Sequence, residues 1–288
     1  MTVDAKSRAA ASVRQRLLTL SKQRGEDFNL VLTRYALERL LYRLSQSKHR
    51  GELILKGAML FQLWSKTPHR ATRDMDFLAT GQTEQQTIAT KITDICAAEV
   101  DEDGLVFDLS KLEVAEIRED DHYGGMRARF TAYLGSAKIC VQLDFGFGDA
   151  ITPQPSETDY PTLLDMKRPN VLAYPRETVV AEKLEAIVDL GMDNSRMKDF
   201  FDLWYIFTTF NDDEAVLVRA VQETFKRRRQ AVPDEVPTGL SDAFAANPDK
   251  QKQWNSFITR AIDGGPALAD VIHVVRTTAM RLFEAARA

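Results

Sequence analysis

The sequence predicts an α+β fold, with a mixed sheet and flanking helices in the front half and mainly helices in the back half. Strand-like alternation of apolar and polar residues recurs between residues 52 and 145. Helical periodicity covers residues 5–46 and returns from residue 178 onward. With 288 residues, of which 44% are hydrophobic, the chain can bury a substantial core. We therefore expect a folded protein of one large or two smaller domains.

The front half is predicted to combine helices and strands. Two helices cover residues 5–46, with Gly25 between them, and a short strand at 52–55 leads into a glycine turn and an apolar helix. The next strand is expected at 74–79, because its side chains alternate between apolar and acidic. The later elements of this half are a helix at 84–98 and strands at 106–117, 126–134 and 138–145.

The back half follows an irregular connection that is rich in proline. Its predicted helices cover 178–190, 197–210, 212–230, 249–262 and 267–286, with a proline-containing loop at 233–248. These boundaries predict an α/β core with N-terminal helices at 1–150, a connection at 151–175 and a helical C-terminal domain at 176–288. We expect the C-terminal domain to contribute residues to the active site.

The overall composition bears on location and partners. The formal net charge of −4 does not indicate a dedicated DNA-binding protein, since such proteins are usually basic, so any RNA contact must be local. No stretch approaches the roughly 20 apolar residues of a membrane-spanning helix, and the N-terminal segment lacks a signal-peptide core. Cys96 and Cys140 are too few for a disulfide framework or a Cys-based zinc site. We expect a cytoplasmic protein with no membrane partner.

The most informative segment joins a glycine turn to two closely spaced aspartates. Gly57 and Ala58 follow a predicted strand and open a helix, where backbone N–H groups can face a phosphate. Asp74 and Asp76 lie two residues apart on the next strand, so alternation places both carboxylates on one face. Such a pair can hold a divalent cation beside a phosphate. These features indicate nucleotidyl transfer, in which metal ions neutralise the attacking and leaving oxygens.

A third carboxylate is predicted to join this pair. Asp144 lies near the end of the last front-half strand and points away from its more apolar face. It could share a second Mg²⁺, with Mn²⁺ as an alternative, or accept the proton of an attacking hydroxyl. The Asp-x-Asp pattern by itself also occurs on polar strand surfaces. A metal site is favoured over such a polar strand surface by the glycine turn, the cations Arg70 and Arg73, and Asp144.

Other segments are less specific. The basic run at 226–229 is typical of a solvated helix end, although it could also contact RNA. From spacing alone, Lys183 and Asp199 are interpreted as structural residues of two helices. The sequence has no Gly-x₄-Gly-Lys-Ser/Thr loop, no His-Glu-x-x-His motif and no complete dinucleotide fingerprint. Its four scattered histidines do not indicate a His-based metal site.

Four segments, in this order, resemble the AbiEii/MenT group of toxin nucleotidyltransferases. They are Leu55-Lys56-Gly57-Ala58, Arg73-Asp74-Met75-Asp76-Phe77, Glu182-Lys183-Leu184-Glu185-Ala186 and Arg196-x-Lys198-Asp199-x-x-Asp202-Leu203. The resemblance spans about residues 55–205. It implies a polymerase-β-like nucleotidyltransferase core followed by a helical C-terminal portion. These proteins are bacterial toxins of toxin–antitoxin and phage-defence systems, and some transfer nucleotides to the 3′ acceptor end of tRNA, which blocks translation.

The resemblance also implies residue roles. Asp74 and Asp76 match the metal-binding pair of the family. Lys183 and Asp199 match its lysine and aspartate in the second half of the active site, so Lys183 is expected to contact the triphosphate. Asp202, like the neighbouring Lys198, belongs to the same helix motif, and it could orient its neighbours.

The glycine turn departs from the usual pattern of the family, which is Gly-Gly or Gly-Ser. This chain has Gly57-Ala58 there. Ala58 keeps its backbone N–H but has no hydroxyl, so phosphate binding by the turn is retained and one side-chain contact is lost.

These observations give one expected activity and a defined set of residues. The expected catalytic residues are Asp74, Asp76, Asp144, Lys183 and Asp199, with Asp74, Asp76 and Asp144 as metal ligands. The expected nucleotide-binding residues are Lys56, Gly57, Ala58, Arg73, Lys183 and Lys198. We expect Mg²⁺-dependent transfer from a nucleoside triphosphate to the 3′ end of tRNA, with a cognate antitoxin as partner. The alternatives are a protein or small-molecule acceptor, and a nucleotide-binding module without turnover.

Overall fold

The computed structural model describes residues 3–65, 70, 72–81, 83–117, 124–261 and 264–288. The chain divides into two units. Unit 1 comprises Met1–Gly148 and Ser156–Ala173, and unit 2 comprises Asp149–Pro155 and Tyr174–Ala288. In the described ranges, every strand of the sheet belongs to unit 1, and unit 2 is built from helices. The predicted α+β fold, with a mixed sheet followed by a mainly helical region, is confirmed.

The helices of unit 1 pack against one another and against the sheet. Those that the described residues form are α1 (Val3–Arg24), α2 (Phe28–Ser45), α3 (Phe61–Trp64) and α4 (Gln85–Cys96). Helix α2 begins after Asp27, whose side chain accepts a hydrogen bond from the Leu30 N–H at 2.9 Å. It contacts α1, α4 and the sheet, and most of its length is buried. A short 3₁₀ turn at Gly57–Leu60 precedes α3.

The strands of unit 1 form one mixed sheet. Its strands, within the part of the chain that the structure describes, are β1 (Leu53–Lys56), β2 (Met75–Ala79), β3 (Leu105–Ile117), β4 (Gly125–Leu134), β5 (Ala137–Phe147), β6 (Ser156–Asp159) and β7 (Asn170–Ala173). The order across the sheet is β3-β4-β5-β2-β1-β7-β6. The β2–β5 and β1–β7 pairs are parallel and the others are antiparallel.

Strands β6 and β7 lie in the connection that the sequence predicts to be irregular, so that prediction is wrong for these residues. Strand β7 pairs with β1 and buries Val171 and Ala173, which extends the sheet. The four-residue strands are too short to show a clear alternation among the surrounding prolines.

The central strands present two chemically different faces. Phe77 on β2 and Phe145 on β5 are buried on one face, with their rings stacked at a centroid distance of 5.8 Å. Because side chains alternate along a strand, Asp76 and Asp144 project from the opposite face. The apolar face thereby anchors the two strands that carry the acidic residues.

Unit 2 is a helical assembly with an aromatic core. Its helices in the described ranges are α5 (Arg176–Leu190), α6 (Met197–Thr209), α7 (Glu214–Arg227), α8 (Asp242–Ala246), α9 (Pro248–Ala261) and α10 (Leu268–Arg287). Helix α5 packs against α6 and α7, and α10 contacts the same two helices. The Phe200 ring stacks on Phe244 at 5.2 Å, and Phe201 lies 6.3 Å from Trp254. None of the helices that the structure describes has the length and apolar character needed to cross a membrane.

Candidate active site

The glycine turn and the second aspartate of the Asp-x-Asp pair are in direct contact. Gly57 has a positive φ of +71°, a conformation that L-residues with a Cβ atom rarely adopt. A Cβ atom at this position would lie 1.9 Å from Asp76 Oδ2 and 2.6 Å from Asp76 Cγ. The absence of a side chain at Gly57 therefore leaves the space that the Asp76 carboxylate occupies. The two motifs that indicate nucleotide chemistry in the sequence meet at this point.

Four polar residues form a row across the sheet next to this contact. The strand register pairs Lys56 with Asp76, Asp76 with Asp144, and Asp144 with Arg127, on β1, β2, β5 and β4. Residues that pair directly on neighbouring strands project from the same face. The row therefore places two acidic and two basic side chains side by side on one face of the sheet.

Asp74 precedes β2 and is held by a local hydrogen bond. The Thr72 hydroxyl donates to Asp74 Oδ1 at 2.5 Å. Asp74 lies just outside β2, two residues before Asp76. No local pattern in the sequence marks Thr72 as part of the site.

Asp144 is engaged by an arginine on the neighbouring strand. Arg127 donates from Nε to Oδ1 at 2.8 Å and from Nη2 to Oδ2 at 2.7 Å, which is the bidentate geometry of a strong ion pair. Gln142 Nε2 lies 3.4 Å from the same Oδ2. Both oxygens of Asp144 therefore accept hydrogen bonds. Only the strand register brings Arg127 and Asp144 together, so inspection of the sequence could not find this pair.

The donor chemistry of the site fits Mg²⁺ at Asp74 and Asp76, because carboxylate oxygens are the ligands that Mg²⁺ prefers. In the ranges that the structure describes, no group of three or more His, Cys, Asp or Glu side chains is arranged to hold a metal ion. Asp144 accepts one hydrogen bond from Arg127 on each oxygen, and a carboxylate offers about four acceptor sites, so this ion pair does not by itself prevent Asp144 from ligating a cation. The three-carboxylate metal site therefore stays a prediction.

A second group of charged residues, here called the lysine cluster, consists of Lys183, Asp199 and Asp202 in unit 2. Lys183 on α5 donates from Nζ to Asp199 Oδ1 and lies 2.9 Å from Asp202 Oδ2. Both aspartates are on the first half of α6 and are buried, with exposed fractions of 4% and 0%. One ammonium group thus lies between two buried carboxylates, and Arg196 Nε adds a further positive charge 3.5 Å from Asp199 Oδ2.

The pKa of Asp199 reports the balance of charge in the lysine cluster. Burial by itself raises the pKa of this carboxyl, because the charged form loses hydration. The positive charges of Lys183, Arg196 and Lys198 outweigh this effect, so the pKa of Asp199 lies below its ordinary value. The cluster therefore keeps Asp199 ionised, and Lys198, although exposed, contributes to its field.

The remaining predicted nucleotide-binding residues lie around the glycine turn. Lys56 is half-buried at the end of β1, and Ala58 is half-buried in the turn that follows. Arg73 is exposed just before Asp74. Lys56, Gly57, Ala58 and Arg73 are thus grouped in unit 1, whereas Lys183 and Lys198 are in unit 2.

The basic run at 226–229 is not uniformly solvated, contrary to the simplest sequence interpretation. Arg228 is largely buried, donates to Glu185 at 2.5 Å and contacts Asp149 Oδ1 at 3.2 Å. Burial alone lowers the pKa of Arg228, but the surrounding acidic residues raise it overall. Three members of the run, Lys226, Arg227 and Arg229, are exposed. Arg228 therefore stabilises the interior of unit 2.

Comparison with known proteins identifies the family. A family model described as "Nucleotidyl transferase AbiEii toxin, Type IV TA system" matches residues 39–284, which is most of the chain. The chain belongs to the AbiEii family. The AbiEii toxins are nucleotidyltransferases of type IV toxin–antitoxin systems, so membership indicates a transferase and implies an antitoxin partner. The resemblance stated from the sequence motifs is confirmed.

The glycine turn, the Asp-x-Asp pair and the lysine cluster all lie within the part of the chain that matches the AbiEii model. A search of curated proteins found no match. Two solved structures, a proposed nucleotidyltransferase from H. pylori and JHP933 from Helicobacter pylori, are each 14% identical to this AbiEii chain. They give TM-scores of 0.47 and 0.46, covering 88% of this chain and 94% and 91% of their own chains.

Proposed function

We propose that this AbiEii toxin transfers a nucleotide from a nucleoside triphosphate to the 3′ end of tRNA in a Mg²⁺-dependent reaction. The observation that carries the proposal is the contact between Gly57 and Asp76, where a Cβ atom would come within 1.9 Å of the carboxylate. This contact puts backbone groups able to face a phosphate beside a carboxylate able to hold a cation. Nucleotidyl transfer requires both in one place.

In the proposed reaction, the 3′-hydroxyl oxygen of the acceptor forms a bond to the α-phosphorus of the triphosphate. The bond from that phosphorus to the oxygen bridging to the β-phosphate breaks, and pyrophosphate leaves with the electron pair. Asp74 and Asp76 are the proposed ligands of Mg²⁺, which when bound supplies positive charge against the triphosphate. Gly57 and Ala58 present backbone N–H groups to the phosphates.

The hydroxyl proton and the negative charge of the phosphates also need partners. Asp144 is the proposed acceptor of the hydroxyl proton, and Arg127 holds its carboxylate in position through two hydrogen bonds. Lys183 is the proposed cation for the triphosphate, and Asp199 and Asp202 hold its ammonium group in one position. These assignments follow the motifs of the AbiEii family and the contacts that each side chain makes within its own unit.

Transfer to RNA is supported by exposed positive charge in a chain that is acidic overall. Lys226, Arg227 and Arg229 are exposed together at the end of α7. Each basic residue that contacts a phosphate releases condensed counterions, which favours binding at low salt. The triple substitution of these residues by glutamine should weaken tRNA binding and reduce the salt dependence of the binding constant.

The test is transfer of label from each of the four α-³²P-labelled nucleoside triphosphates to total tRNA in the presence of Mg²⁺. We expect labelled tRNA with the wild-type chain and none with Asp76→Asn or with EDTA. Asp108→Asn is the matched control, since Asp108 lies on β3 of the same sheet, away from the row of polar residues. Prior oxidation of tRNA with periodate destroys the terminal diol and should abolish labelling.

The outcomes separate the proposal from its alternatives. Label in protein or in a small molecule, with none in tRNA, would show that the acceptor is a protein or a small molecule and not tRNA. Triphosphate binding without pyrophosphate release under any condition would identify a nucleotide-binding module instead. Labelling that persists in Asp76→Asn would show that the assignment of the metal ligands is wrong.

A further inference from the structure

A cavity of about 490 Å³ lies in unit 1, between helix α2, the glycine turn with helix α3, and the loop at 160–163. This volume falls in the range of roughly 300–1,000 Å³ that is typical of small-molecule sites. The residues that matter for its chemistry are Arg34, Glu38, Trp64, Arg70, Thr72 and Tyr160, and the space that they line is called the α2 cavity. Of these residues, the sequence motifs drew attention to Arg70 alone, as a cation beside the Asp74–Asp76 pair.

One wall of the α2 cavity is positively charged. Arg24, Arg34 and Arg70 all line it. Arg34 donates to Glu26 at 2.6 Å and to Gln62 at 3.2 Å, and Arg24 lies 3.8 Å from the same glutamate. One carboxylate, that of Glu26, thus pairs with two guanidinium groups, so the positive charge of Arg24 and Arg34 exceeds the negative charge of their shared partner. Guanidinium groups match the geometry of phosphate oxygens.

A buried carboxyl group lies at the other side of the cavity. Glu38 is 2% exposed, and its Oε2 accepts a hydrogen bond from the Leu163 N–H at 2.6 Å. Its Oε1 lies 3.7 Å from Arg39 Nη1, which is beyond hydrogen-bond length, and has no hydrogen-bond partner among the described residues. A buried acceptor without a hydrogen bond is costly, and a ligand N–H or O–H would satisfy it.

The rest of the lining is apolar and aromatic. Trp64 lines the cavity and is braced by Phe61, with the rings edge to face at 5.0 Å. Met59 and Leu63 add apolar surface, and the Tyr160 hydroxyl donates to the Met59 carbonyl at 3.3 Å. An aromatic side chain in such a wall can stack on a planar base.

The α2 cavity adjoins the proposed transfer site through two residues. Ala58 of the glycine turn lines it. Thr72 lines it as well and donates its hydroxyl hydrogen bond to Asp74 Oδ1. A ligand that contacts Thr72 in the cavity would therefore contact the residue that hydrogen-bonds to the Asp74 carboxylate.

We infer that the α2 cavity binds one nucleotide, with its phosphate at the arginine wall, its base against Trp64, and a base or sugar hydrogen-bond donor on Glu38. The inference rests on the proposed function for the source of the nucleotide, which is either the nucleoside triphosphate or the terminal residue of the RNA acceptor. Both sources present the same chemistry of a phosphate linked to a planar base.

The test measures binding of nucleoside 5′-monophosphates to the full chain in EDTA, by calorimetry and by tryptophan fluorescence. Arg34→Gln and Trp64→Leu should each weaken binding at least tenfold. Arg50→Gln is the matched control, because Arg50 also pairs with a glutamate, at 2.7 Å, outside the cavity lining. Trp64→Phe keeps an aromatic ring, so it should retain binding while the fluorescence change disappears.

Partial ligands separate the two ends of the cavity. A nucleoside without phosphate should bind with no dependence on Arg34, and inorganic phosphate should bind with no dependence on Trp64. Glu38→Gln should change the relative affinities of the four bases, since the amide offers a donor as well as an acceptor. Thermal unfolding of each variant shows whether it is folded. If a larger substitution such as Trp64→Leu unfolds unit 1, Trp64→Phe and the partial ligands still test the site.

Kinetics in the tRNA assay identify the source of the nucleotide. An increase in KM for the triphosphate alone in Trp64→Leu assigns the cavity to the donor, and an increase in KM for RNA alone assigns it to the acceptor. The inference would be overturned if monophosphates did not bind. It would also be overturned if Arg34→Gln, Trp64→Leu and Glu38→Gln all left their binding unchanged. Because binding is measured without metal or turnover, failure of tRNA labelling alone overturns the proposed function and leaves the cavity assignment standing.

Discussion

Gly57→Ala tests whether the contact between the glycine turn and Asp76 organises the site. At φ +71°, a residue with a Cβ atom is destabilised by roughly 1–2 kcal/mol through backbone strain alone. The new methyl group would also lie 1.9 Å from Asp76 Oδ2 and 2.9 Å from Asp76 Cβ, so the aspartate side chain must move. Overpacking of this kind costs about a further 1–3 kcal/mol. We expect a total loss of about 2–5 kcal/mol of unfolding free energy.

Gly25→Ala supplies the matched control. Gly25 has nearly the same backbone conformation, φ +64°, but a Cβ atom there would meet nothing within 4 Å. Urea unfolding followed by circular dichroism gives both losses, and their difference isolates the clash with Asp76. In an Asp76→Gly background, Gly57→Ala should cost little more than Gly25→Ala, because the three Asp76 atoms nearest to the new methyl group are all removed. Equal losses for the two glycine variants in the wild-type background would refute the reasoning.

Three further predictions concern buried charge. Lys183→Met removes the cation between the two buried aspartates of the lysine cluster and should lower the unfolding free energy by about 3–5 kcal/mol in urea at pH 7. Stability should recover when both aspartates are also replaced by asparagine. No recovery would contradict the pairing. Arg228→Gln should destabilise unit 2 by about 3–5 kcal/mol, because Glu185 and Asp149 lose their cationic partner. Arg229→Gln, at the exposed neighbouring position, should change the unfolding free energy by no more than about 0.5 kcal/mol. Similar losses for the two variants would contradict the pairing of Arg228 with these carboxylates. Burial raises the pKa of Glu38 to about 7, so the unfolded chain ionises first and the wild type loses about 3 kcal/mol of stability as pH rises from about 4.5 through 7. Glu38→Gln does not titrate and should become more stable than the wild type above pH 7; a difference that is independent of pH would contradict the raised pKa.

Local patterns were sufficient for most of the fold. The helices α1 and α2, the three long strands and the helices α5, α6, α7, α9 and α10 follow from periodicity that each segment carries by itself. Helix α8 lies in the segment 233–248, so the prediction of a loop is wrong for its five residues, which are too few to show a helical period. Strands β6 and β7 were not predicted, because each has four residues in a proline-rich segment; β6 pairs with β7, and β7 in turn pairs with the distant strand β1. The pairing of β7 with β1 depends on residues more than a hundred positions apart, which no local pattern records.

The candidate site was predictable in its residue types and less so in its contacts. The Gly57 turn and the Asp74–Asp76 pair are recognisable because their spacing is local. Arg127 was not, since the register of β4 on β5 brings it to Asp144. The residues of the α2 cavity are likewise scattered along the chain and are assembled only by packing.

The sequence by itself determined the α+β class and the family motifs. These features depend on alternation and spacing between near neighbours in the chain, which backbone geometry fixes without reference to the rest of the molecule. The tertiary structure alone decided that Asp76 fills the space beside Gly57, that Arg127 holds Asp144, and that Arg228 pairs with Glu185. Those contacts join segments that are distant in sequence, and they form only because strand register and helix packing are set by burial of apolar surface.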